Sequence, residues 1–542
     1  MSIFNLSDCE EVGTKRFAPI CFIGAGIAGL LAAHKIARQG RRVMVIESGT
    51  EAFEANIHRL NEIEDTSGHY TRALTGRYRG LGGTSGRWGG RMLPISKHDA
   101  EARQHLSLPD WPFKLDQLDA YEPEIEKLFG TGSDSYDVLA VPEAGVADPF
   151  RADMASLTPK WAKCPSFKRC NIATILKDEL RRMRNIEIWL DATVCGFELD
   201  RVGGRLKAIS ACNFQGRKMT VEAEEFVLTA GTIETTRLLL LLDQASEKRA
   251  FARCDALGRY FQDHLKAEVA TISRRDPVLT NSLFGYRFVH STRRDLHLEL
   301  SYAAQRKDAV ASAFAYVSMD LERSALADVK SLAQGLQRRE LDFRTVQRVA
   351  RNFGLLTKAA YWRLFRNQLF IPREIDLRLI VCVEQLPNWN NRIQLSQHRD
   401  RLGMPKASLE WSPKASDEKT FRSTVTHIAS YWRQAGFDRV CPLVWTAGAD
   451  DAATCIVDRS EACAHPSGST RMGIDPATSV VGPDLYCHAV PNVAVISASV
   501  FPTAGSANPT FTIMKLALWL ADNYLRTVST SIPARFMPAL AS

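Results

Sequence analysis

The run GAGIAG, which begins at Gly24, contains three glycines at the spacing of a turn that binds nucleotide phosphates. In this spacing Gly24 permits a tight turn, Gly26 lets the backbone approach a pyrophosphate, and Gly29 allows a helix to pack closely on a strand. Glu47 follows at about the distance where a carboxylate accepts hydrogen bonds from ribose hydroxyls. The pattern predicts a dinucleotide site without a 2′-phosphate, but it does not separate NAD from FAD.

The elements around these glycines support that interpretation. Residues 19–23 read PICFI, a short apolar run typical of a buried parallel strand. Residues 30–40 read LLAAHKIARQG, which is rich in helix formers and ends at a glycine, and residues 41–47 read RRVMVIE, a second strand. The glycines therefore lie at a helix N-terminus, where backbone N–H groups and the helix dipole favour phosphate.

Two further segments have unusual composition. Residues 80–94 read GLGGTSGRWGGRMLP, with six glycines, which implies backbone packed against a flat group or another backbone. By itself this could be a structural loop. Residues 465–514 begin HPSGSTRMG and end GSANPTFTIM.

These three segments, in this order, resemble the glucose–methanol–choline (GMC) oxidoreductase family. The resemblance also covers EEFVLTAGTIETTRLLLLL at residues 224–242 and LGRYFQDH at residues 257–264, and it spans most of the chain. It is weakest between residues 275 and 375. With an asparagine, Asn508, rather than a second histidine in the last motif, the chain resembles the branch that contains pyranose oxidases, bacterial sugar dehydrogenases and cholesterol oxidases.

The resemblance implies FAD as cofactor and assigns residues to it. The ADP portion is assigned to Gly24, Gly26, Ala28, Gly29, Glu47, Val194, Ala230 and Gly231. The pyrophosphate and flavin are assigned to Gly83, Thr84, Ser85, Trp88, Gly89 and Gly90. From the C-terminal segment, the cofactor is assigned Ser499, Asn508, Pro509, Thr510 and Thr512, the last four beside the isoalloxazine.

Two positions depart from the family pattern. Members with covalently attached flavin carry a histidine near the position of Arg87, and arginine cannot make that bond, so noncovalent FAD is expected. Many members have aspartate where this chain has Ser497, which can hydrogen-bond but contributes no charge.

The family motif also identifies the candidate catalytic residues. Oxidising an alcohol requires hydride transfer to the flavin and proton transfer to a base, for which histidine is suited near neutral pH. His465 is the expected base, and Asn508 is expected to hydrogen-bond the same substrate oxygen. No metal is expected.

The predicted fold is α/β, with a Rossmann-like FAD-binding domain interleaved with an α+β substrate domain that contains a mostly antiparallel sheet. The FAD-binding domain is assigned residues 1–96, 165–272 and 460–542. The substrate-binding domain is assigned residues 97–164 and 273–459, where residues 384–396 read as strand and turn.

Composition excludes other classes of function. The net charge of +8 over 542 residues is modest and accompanies no nucleic-acid-binding module. Twelve cysteines are scattered without a C-x-x-C pair, which argues against zinc or iron–sulfur sites. The first twenty residues do not read as a signal peptide, so a cytoplasmic protein is expected. Residues 337–373 are basic with interleaved aromatics; a solvated helix face is favoured over contact with a membrane surface.

The expected substrate is a small-molecule alcohol, oxidised to a ketone or aldehyde. A ring hydroxyl of a sugar, amino sugar, cyclitol or glycoside is favoured. A hydrophobic alcohol or sterol, or a non-redox FAD-containing lyase, remains the alternative. Oxygen, a quinone or a redox protein could each accept the electrons.

Overall fold

A computed structural model of the chain describes residues 2–9, 13–140, 148–151, 153–200, 204–289, 292–320, 347, 353–451 and 453–530. The strands are β1 (Ile3–Asn5), β2 (Thr14–Ile23), β3 (Val43–Ile46), β4 (Glu64–Asp65), β5 (Leu157–Cys164), β6 (Ile186–Leu190), β7 (Thr193–Leu199), β8 (Leu206–Cys212), β9 (Lys218–Leu228), β10 (Leu265–Ile272), β11 (Arg287–Val289), β12 (Thr292–Leu300), β13 (Ala313–Met319), β14 (Leu377–Val383), β15 (Arg392–Arg399), β16 (Pro405–Glu410), β17 (Leu443–Trp445), β18 (Glu461–Ala462) and β19 (Val493–Val495). The helices are α1 (Ile27–Arg38), α2 (Ala55–His58), α3 (Lys97–Ala100), α4 (Asp116–Asp119), α5 (Glu122–Phe129), α6 (Ile172–Arg182), α7 (Thr232–Ala245), α8 (Pro277–Phe284), α9 (Tyr302–Asp308), α10 (Phe353–Phe365), α11 (Ala415–Gln434), α12 (Phe437–Val440) and α13 (Pro509–Thr530).

The first sheet forms the nucleotide-binding layer. Its strand order is β1-β6-β3-β2-β9-β8-β7, with β19 also beside β9, and the pairings from β1 to β9 are parallel. The apolar run at residues 19–23 is the end of β2, and α1 begins directly after the glycine turn that follows it. Helix α1 packs against α13. The C-terminal motif (residues 465–514) therefore lies beside the nucleotide fingerprint, the GAGIAG run at residues 24–29.

The second sheet is antiparallel and has two different faces. Its order is β11-β12-β13-β14-β10-β17, with β5 beside β12 and β18 beside β10. Because side chains alternate along a strand, Leu298 and Leu300 of β12 enter the core of this layer, whereas Asp295 and His297 lie on the opposite face. That opposite face meets the first layer, since Arg91 Nε donates to Asp295 Oδ2 at 2.7 Å.

The predicted fold class is confirmed, because a Rossmann-like parallel layer is interleaved with an antiparallel sheet. A third, smaller sheet has the order β15-β16-β4.

Two segments lie across the predicted domain boundaries. Strand β10, assigned to the first domain, is a central strand of the second sheet. Helices α4 and α5, assigned to the second domain, contribute Leu118, Ile125 and Phe129 to the core of the first layer, because their apolar side chains pack there.

The basic segment at residues 337–373 is described only from residue 353 onward, apart from residue 347. Residues Phe353–Phe365 are helical, and Tyr361, Leu364 and Phe365 are exposed there. The favoured interpretation, a solvated helix face, and its alternative, contact with a membrane surface, both stay predictions. Among the described residues, no helix is both long enough and apolar enough to cross a bilayer.

Candidate active site

A cavity of about 1350 Å³, counting open space at its mouth, runs along the first layer from the nucleotide fingerprint to the C-terminal motif. Its lining includes Glu47 and Val194 from the first layer, and His465 and Pro509 from the C-terminal segment. The predicted cofactor residues that line it are Gly24, Gly26, Ala28, Glu47, Gly83, Thr84, Ser85, Trp88, Val194, Ala230, Gly231, Pro509 and Thr510. One continuous cavity therefore joins segments that are far apart in the sequence.

The three fingerprint glycines have distinct structural settings. Gly24 adopts φ of +114°, a backbone conformation that L side chains rarely adopt. A Cβ at Gly29 would lie 2.1 Å from the Gly24 carbonyl oxygen, so the residue allows α1 to pack closely on the turn. A Cβ at Gly26 would be 3.7 Å from Thr229 O, an ordinary contact. Gly26 is thus not required for protein packing, and it lines the cavity.

Glu47 is buried at the end of β3, and its carboxylate organises three backbone segments. One oxygen accepts from Ala25 N at 2.8 Å, and the other accepts from Gly49 N at 2.8 Å and Gly80 N at 3.1 Å. Burial raises the pKa of this carboxyl, although the three hydrogen bonds act in the opposite direction. The oxygen with a single protein partner retains a lone pair for a ligand hydroxyl.

Six predicted cofactor residues do not line the cavity: Gly29, Gly89, Gly90, Ser499, Asn508 and Thr512. Thr512 instead lines a separate surface pocket beside Lys515, because Thr510 and Ile513 share the cavity face of α13 and Thr512 lies on another face. Thr512 therefore does not line this cavity, and its assignment beside the isoalloxazine stays a prediction. The Ser499 hydroxyl accepts a hydrogen bond from Thr470 Oγ1 at 2.6 Å, which links two parts of the C-terminal segment.

Two arginines that sequence reasoning missed also line the cavity. Arg77 and Arg79 lie directly before the second glycine cluster and are largely buried. Burial lowers the pKa of Arg77 to about 10, and Arg79 forms an ion pair with Glu234 at 2.8 Å. Their positive charges suit an anionic ligand such as a diphosphate. The sequence signal was the pair of arginines two residues apart beside a glycine-rich run.

His465 lines the cavity, and Asn508 contacts the His465 imidazole without lining the cavity itself. The Asn508 side-chain nitrogen lies 3.2 Å from His465 Nε2. The backbone N–H of His465 donates to the buried carboxylate of Asp263 at 2.9 Å, and Tyr70 donates to the other oxygen of that carboxylate at 3.0 Å. Burial raises the pKa of Asp263 to about 7. The loop that carries His465 is therefore anchored through its backbone, which leaves the imidazole to interact with neighbours and ligands.

Burial lowers the pKa of His465 well below its usual range, and the positive charge of Arg91 acts in the same direction. The imidazole is consequently neutral near pH 7. A neutral imidazole has one nitrogen that can accept a proton. Asn508 Oδ1 is buried without a hydrogen-bond partner among the described residues, so it can accept one from a ligand.

The two residues that depart from the family pattern, Arg87 and Ser497, each have defined contacts. The guanidinium of Arg87 lies 4.6 Å from the ring centre of Phe53 and 4.8 Å from that of Tyr78, an arrangement that holds it by cation–π contacts. Ser497 lines the cavity, and its hydroxyl accepts from Ser499 N at 3.2 Å. The guanidinium of Arg87 is not a nucleophile that would tether a flavin.

The cavity fits a dinucleotide carrying a flat ring. It combines a glycine turn at a helix N-terminus, a buried carboxylate with spare acceptor capacity and two arginines. Trp88, His465 and Pro509 also line it. This set of residues suits ribose, diphosphate and an aromatic ring.

Comparison with protein families agrees with this geometry. Residues 387–517, which include His465 and Asn508, match a model described as GMC oxidoreductase. Residues 23–60, which include the fingerprint glycines and Glu47, match a model described as an NAD(P)-binding Rossmann-like domain.

The C-terminal part of the chain carries a GMC oxidoreductase domain.

Relatives extend this likeness along the chain. The 6'''-hydroxyparomomycin C oxidase of Streptomyces lividus is 23% identical, covering 94% of this chain and 92% of that protein. The 2-methyl-1,2-propanediol dehydrogenase of Mycolicibacterium austroafricanum is 24% identical, covering 96% and 97%. The crystal structure of pyridoxine 4-oxidase from Mesorbium loti shares the fold, with a TM-score of 0.58, 17% identity and coverage of 94% of this chain and 99% of that chain. As a GMC oxidoreductase, the chain is an FAD-dependent enzyme that oxidises alcohol groups.

Alanine at Gly26 and at Gly29 is expected to separate FAD binding from folding. G29A places a Cβ against the Gly24 carbonyl, and such overpacking costs about 1–3 kcal/mol of unfolding free energy. G26A leaves packing intact but occupies space in the GMC cofactor cavity, so FAD affinity should fall roughly tenfold, or about 1.4 kcal/mol. Urea unfolding of FAD-free protein and titration by FAD fluorescence measure the two effects. Unchanged FAD affinity in G26A would contradict the placement of the cofactor.

Proposed function

We propose that this enzyme oxidises a ring hydroxyl of a sugar, amino sugar, cyclitol or glycoside to a ketone or aldehyde, with His465 as the base and Asn508 as its partner. The observation that carries the proposal is the 3.2 Å contact between Asn508 Nδ2 and Nε2 of His465, whose ring lines the cavity. The names of the two curated relatives, a hydroxyparomomycin oxidase and a propanediol dehydrogenase, support a hydroxyl-bearing small molecule.

In this proposal each residue has a defined part in the reaction. FAD, when bound, supplies the hydride acceptor. His465 Nε2 accepts the proton of the substrate hydroxyl, which leaves the oxygen free to form a carbonyl as hydride departs from carbon. The low pKa of His465 keeps the imidazole unprotonated before the reaction. General-base catalysis of this kind contributes about 10²–10⁴-fold to the rate.

Asn508 orients the alcohol next to His465. Its amide nitrogen has two hydrogens, so it can donate to the reacting oxygen while that oxygen's proton faces His465 Nε2. Its Oδ1, which has no partner among the described residues, can accept from a second hydroxyl of the same substrate. A substrate with neighbouring hydroxyls satisfies both ends of this amide, whereas a lone alcohol satisfies only one.

The polar face of the second sheet also favours a hydroxyl-rich substrate over a sterol. This face carries Asp295, His297 and Tyr316, with Arg91 lying over the Tyr316 ring at 5.2 Å. His297 is buried, and both of its ring nitrogens lack hydrogen-bond partners among the described residues. The positive charge of Arg91 acts to lower the pKa of His465, so this face lies near the His465 imidazole. A hydrocarbon skeleton there would leave such groups without partners, which is costly.

The flavin is proposed to be noncovalent, because the site near which other members carry the tethering histidine is occupied here by Arg87. The guanidinium is held between Phe53 and Tyr78 and forms no bond to carbon. Acid precipitation is therefore expected to release the yellow cofactor into the supernatant.

The substrate class is tested by mixing FAD-loaded enzyme anaerobically with a panel of alcohols and recording the flavin absorption band. Hexoses, amino sugars and cyclitols are expected to bleach the band, whereas cholesterol dispersed in detergent is not. Admitting air and assaying peroxide then tests oxygen as the electron acceptor. Bleaching by the sterol alone would contradict the proposed substrate class, and no bleaching by any alcohol would favour a non-redox lyase.

A further inference from the structure

We propose that His264 is a positioning residue that fixes the tautomer of His465, through a hydrogen-bonded chain that begins at the backbone carbonyl of Gly505. The proposal rests on the function proposed above, because it explains which nitrogen of His465 is able to act as the base. It requires three hydrogen bonds in sequence, each of which leaves only one possible donor.

The chain begins at the Gly505 carbonyl. His264 Nε2 lies 2.7 Å from this oxygen. A carbonyl oxygen has lone pairs and no hydrogen, so the Nε2 of His264 must carry the hydrogen and donate it. This contact fixes the first tautomer.

The second step concerns the other nitrogen of His264. The side chain is 1% exposed, and burial lowers its pKa. The imidazole is therefore neutral near pH 7, with its single hydrogen already on Nε2. Its Nδ1 consequently has a lone pair and can only accept.

The third step reaches His465. The Nδ1 atoms of His264 and His465 lie 3.0 Å apart, and the two rings meet edge to face. Because His264 Nδ1 accepts, His465 Nδ1 must donate. His465 Nε2 is then left with a lone pair, directed at the amide of Asn508 and lining the cavity with the rest of the ring. The orientation of Asn508 agrees independently, since its nitrogen, a donor, faces Nε2.

The Gly505 carbonyl is itself rigidly held. Gly505 N donates to Glu384 Oε1 at 2.9 Å, and Glu384 is paired with Arg103 at 2.7 Å, both side chains being fully buried. Gly505 has φ of +59°, and a Cβ there would lie 2.8 Å from Asp99 Oδ2. The peptide therefore cannot easily rotate, and its carbonyl keeps its direction towards His264.

The consequence concerns proton acceptance. In the other tautomer, His465 would carry its hydrogen on Nε2 and could not accept the substrate proton there. Partners that fix a histidine tautomer in this way typically change activity by about 10–100-fold when removed, as is known for histidines that bind metals. A contribution of that size is expected here.

Two substitutions of His264 test whether it fixes the tautomer of His465. In H264N, the amide oxygen occupies nearly the place of Nδ1 and can still accept from His465. In H264Q, the amide nitrogen can reach towards the Gly505 carbonyl, but no acceptor remains beside His465 Nδ1. Anaerobic flavin reduction is expected to slow about 10–100-fold in H264Q with little change in KM, and H264N is expected to recover most of that loss. Equal rates in the two variants, or a wild-type rate in H264Q, would overturn the proposal.

A second readout does not depend on turnover. In ¹⁵N-histidine-labelled wild type, NMR should show His465 with a hydrogen on Nδ1 and none on Nε2, the signals being assigned by their loss in H465N. A hydrogen on His465 Nε2 would overturn the proposed tautomer even if neither variant folds. The proposed function fails separately, if wild type is bleached by alcohols but H465A is reduced just as fast.

Discussion

Replacement of His465 by alanine is expected to slow anaerobic reduction of the flavin by about 10²–10⁴-fold while FAD remains bound. The imidazole is the proton acceptor in this account, and alanine removes it without adding charge or bulk to the cavity. The backbone N–H that anchors the loop to Asp263 is unchanged by the substitution. Stopped-flow absorbance of FAD-loaded enzyme mixed with an alcohol substrate measures the rate.

The matched control is H398A, because His398 lies on the surface with 76% of its side chain exposed. It should be reduced at the wild-type rate with the same FAD content. A near-normal rate in H465A would contradict the assignment of the base. An FAD-free H465A protein would instead indicate that the histidine holds the cofactor.

The substitution E384Q is expected to lower the free energy of unfolding by about 3–5 kcal/mol. The neutral amide would leave the guanidinium of Arg103 buried without its bidentate partner, and the side chains of Arg103 and Glu384 are both 0% exposed in the native protein. The loss of unfolding free energy should be near the lower value of about 3 kcal/mol, since Asp99 lies 3.7 Å from the same guanidinium. Chemical denaturation at neutral pH measures it.

The pH dependence of this loss has a defined sign. Burial raises the pKa of Glu384, but the charge and hydrogen bonds of Arg103 outweigh burial and lower it overall. A carboxyl with a lowered folded-state pKa stabilises the protein above its unfolded pKa, which is about 4.3, and loses that contribution as the pH falls further. The difference between wild type and E384Q should therefore shrink below about pH 4.

E198Q provides the control for that measurement. Glu198 and Lys207 form an ion pair at 2.9 Å with more than half of each side chain exposed, where pairs contribute little. The same Glu-to-Gln change should have no measurable effect on unfolding at this position. If E384Q were as stable as E198Q, the buried pair would not be holding the Gly505 loop.

Much of the cofactor end of the site could be predicted from the sequence, because its residues belong to local patterns. The turn at Gly24 and the helix after it follow from a strand, three spaced glycines and a run of helix formers. His465 and Asn508 were paired because they occur in one motif, and the structure brings them together although they are 43 positions apart.

Other parts of the site depend on contacts that no local pattern encodes. His264 and His465 are 201 positions apart, and Arg103 and Glu384 are 281 apart, so their pairing requires the strands of the second sheet to be in place. The absence of Thr512 from the cavity lining has a simpler reason. A position two residues from Thr510 on a helix lies on a different face, so Thr512 could not share its environment.

The most direct test of the central claim is a crystal structure of the FAD-loaded enzyme with a bound alcohol or unreactive analogue. The account predicts the isoalloxazine at the end of the cavity bounded by Trp88 and Pro509, with the ligand oxygen within hydrogen-bond distance of both His465 Nε2 and Asn508. A flavin ring elsewhere, or a ligand oxygen that contacts neither side chain, would contradict it.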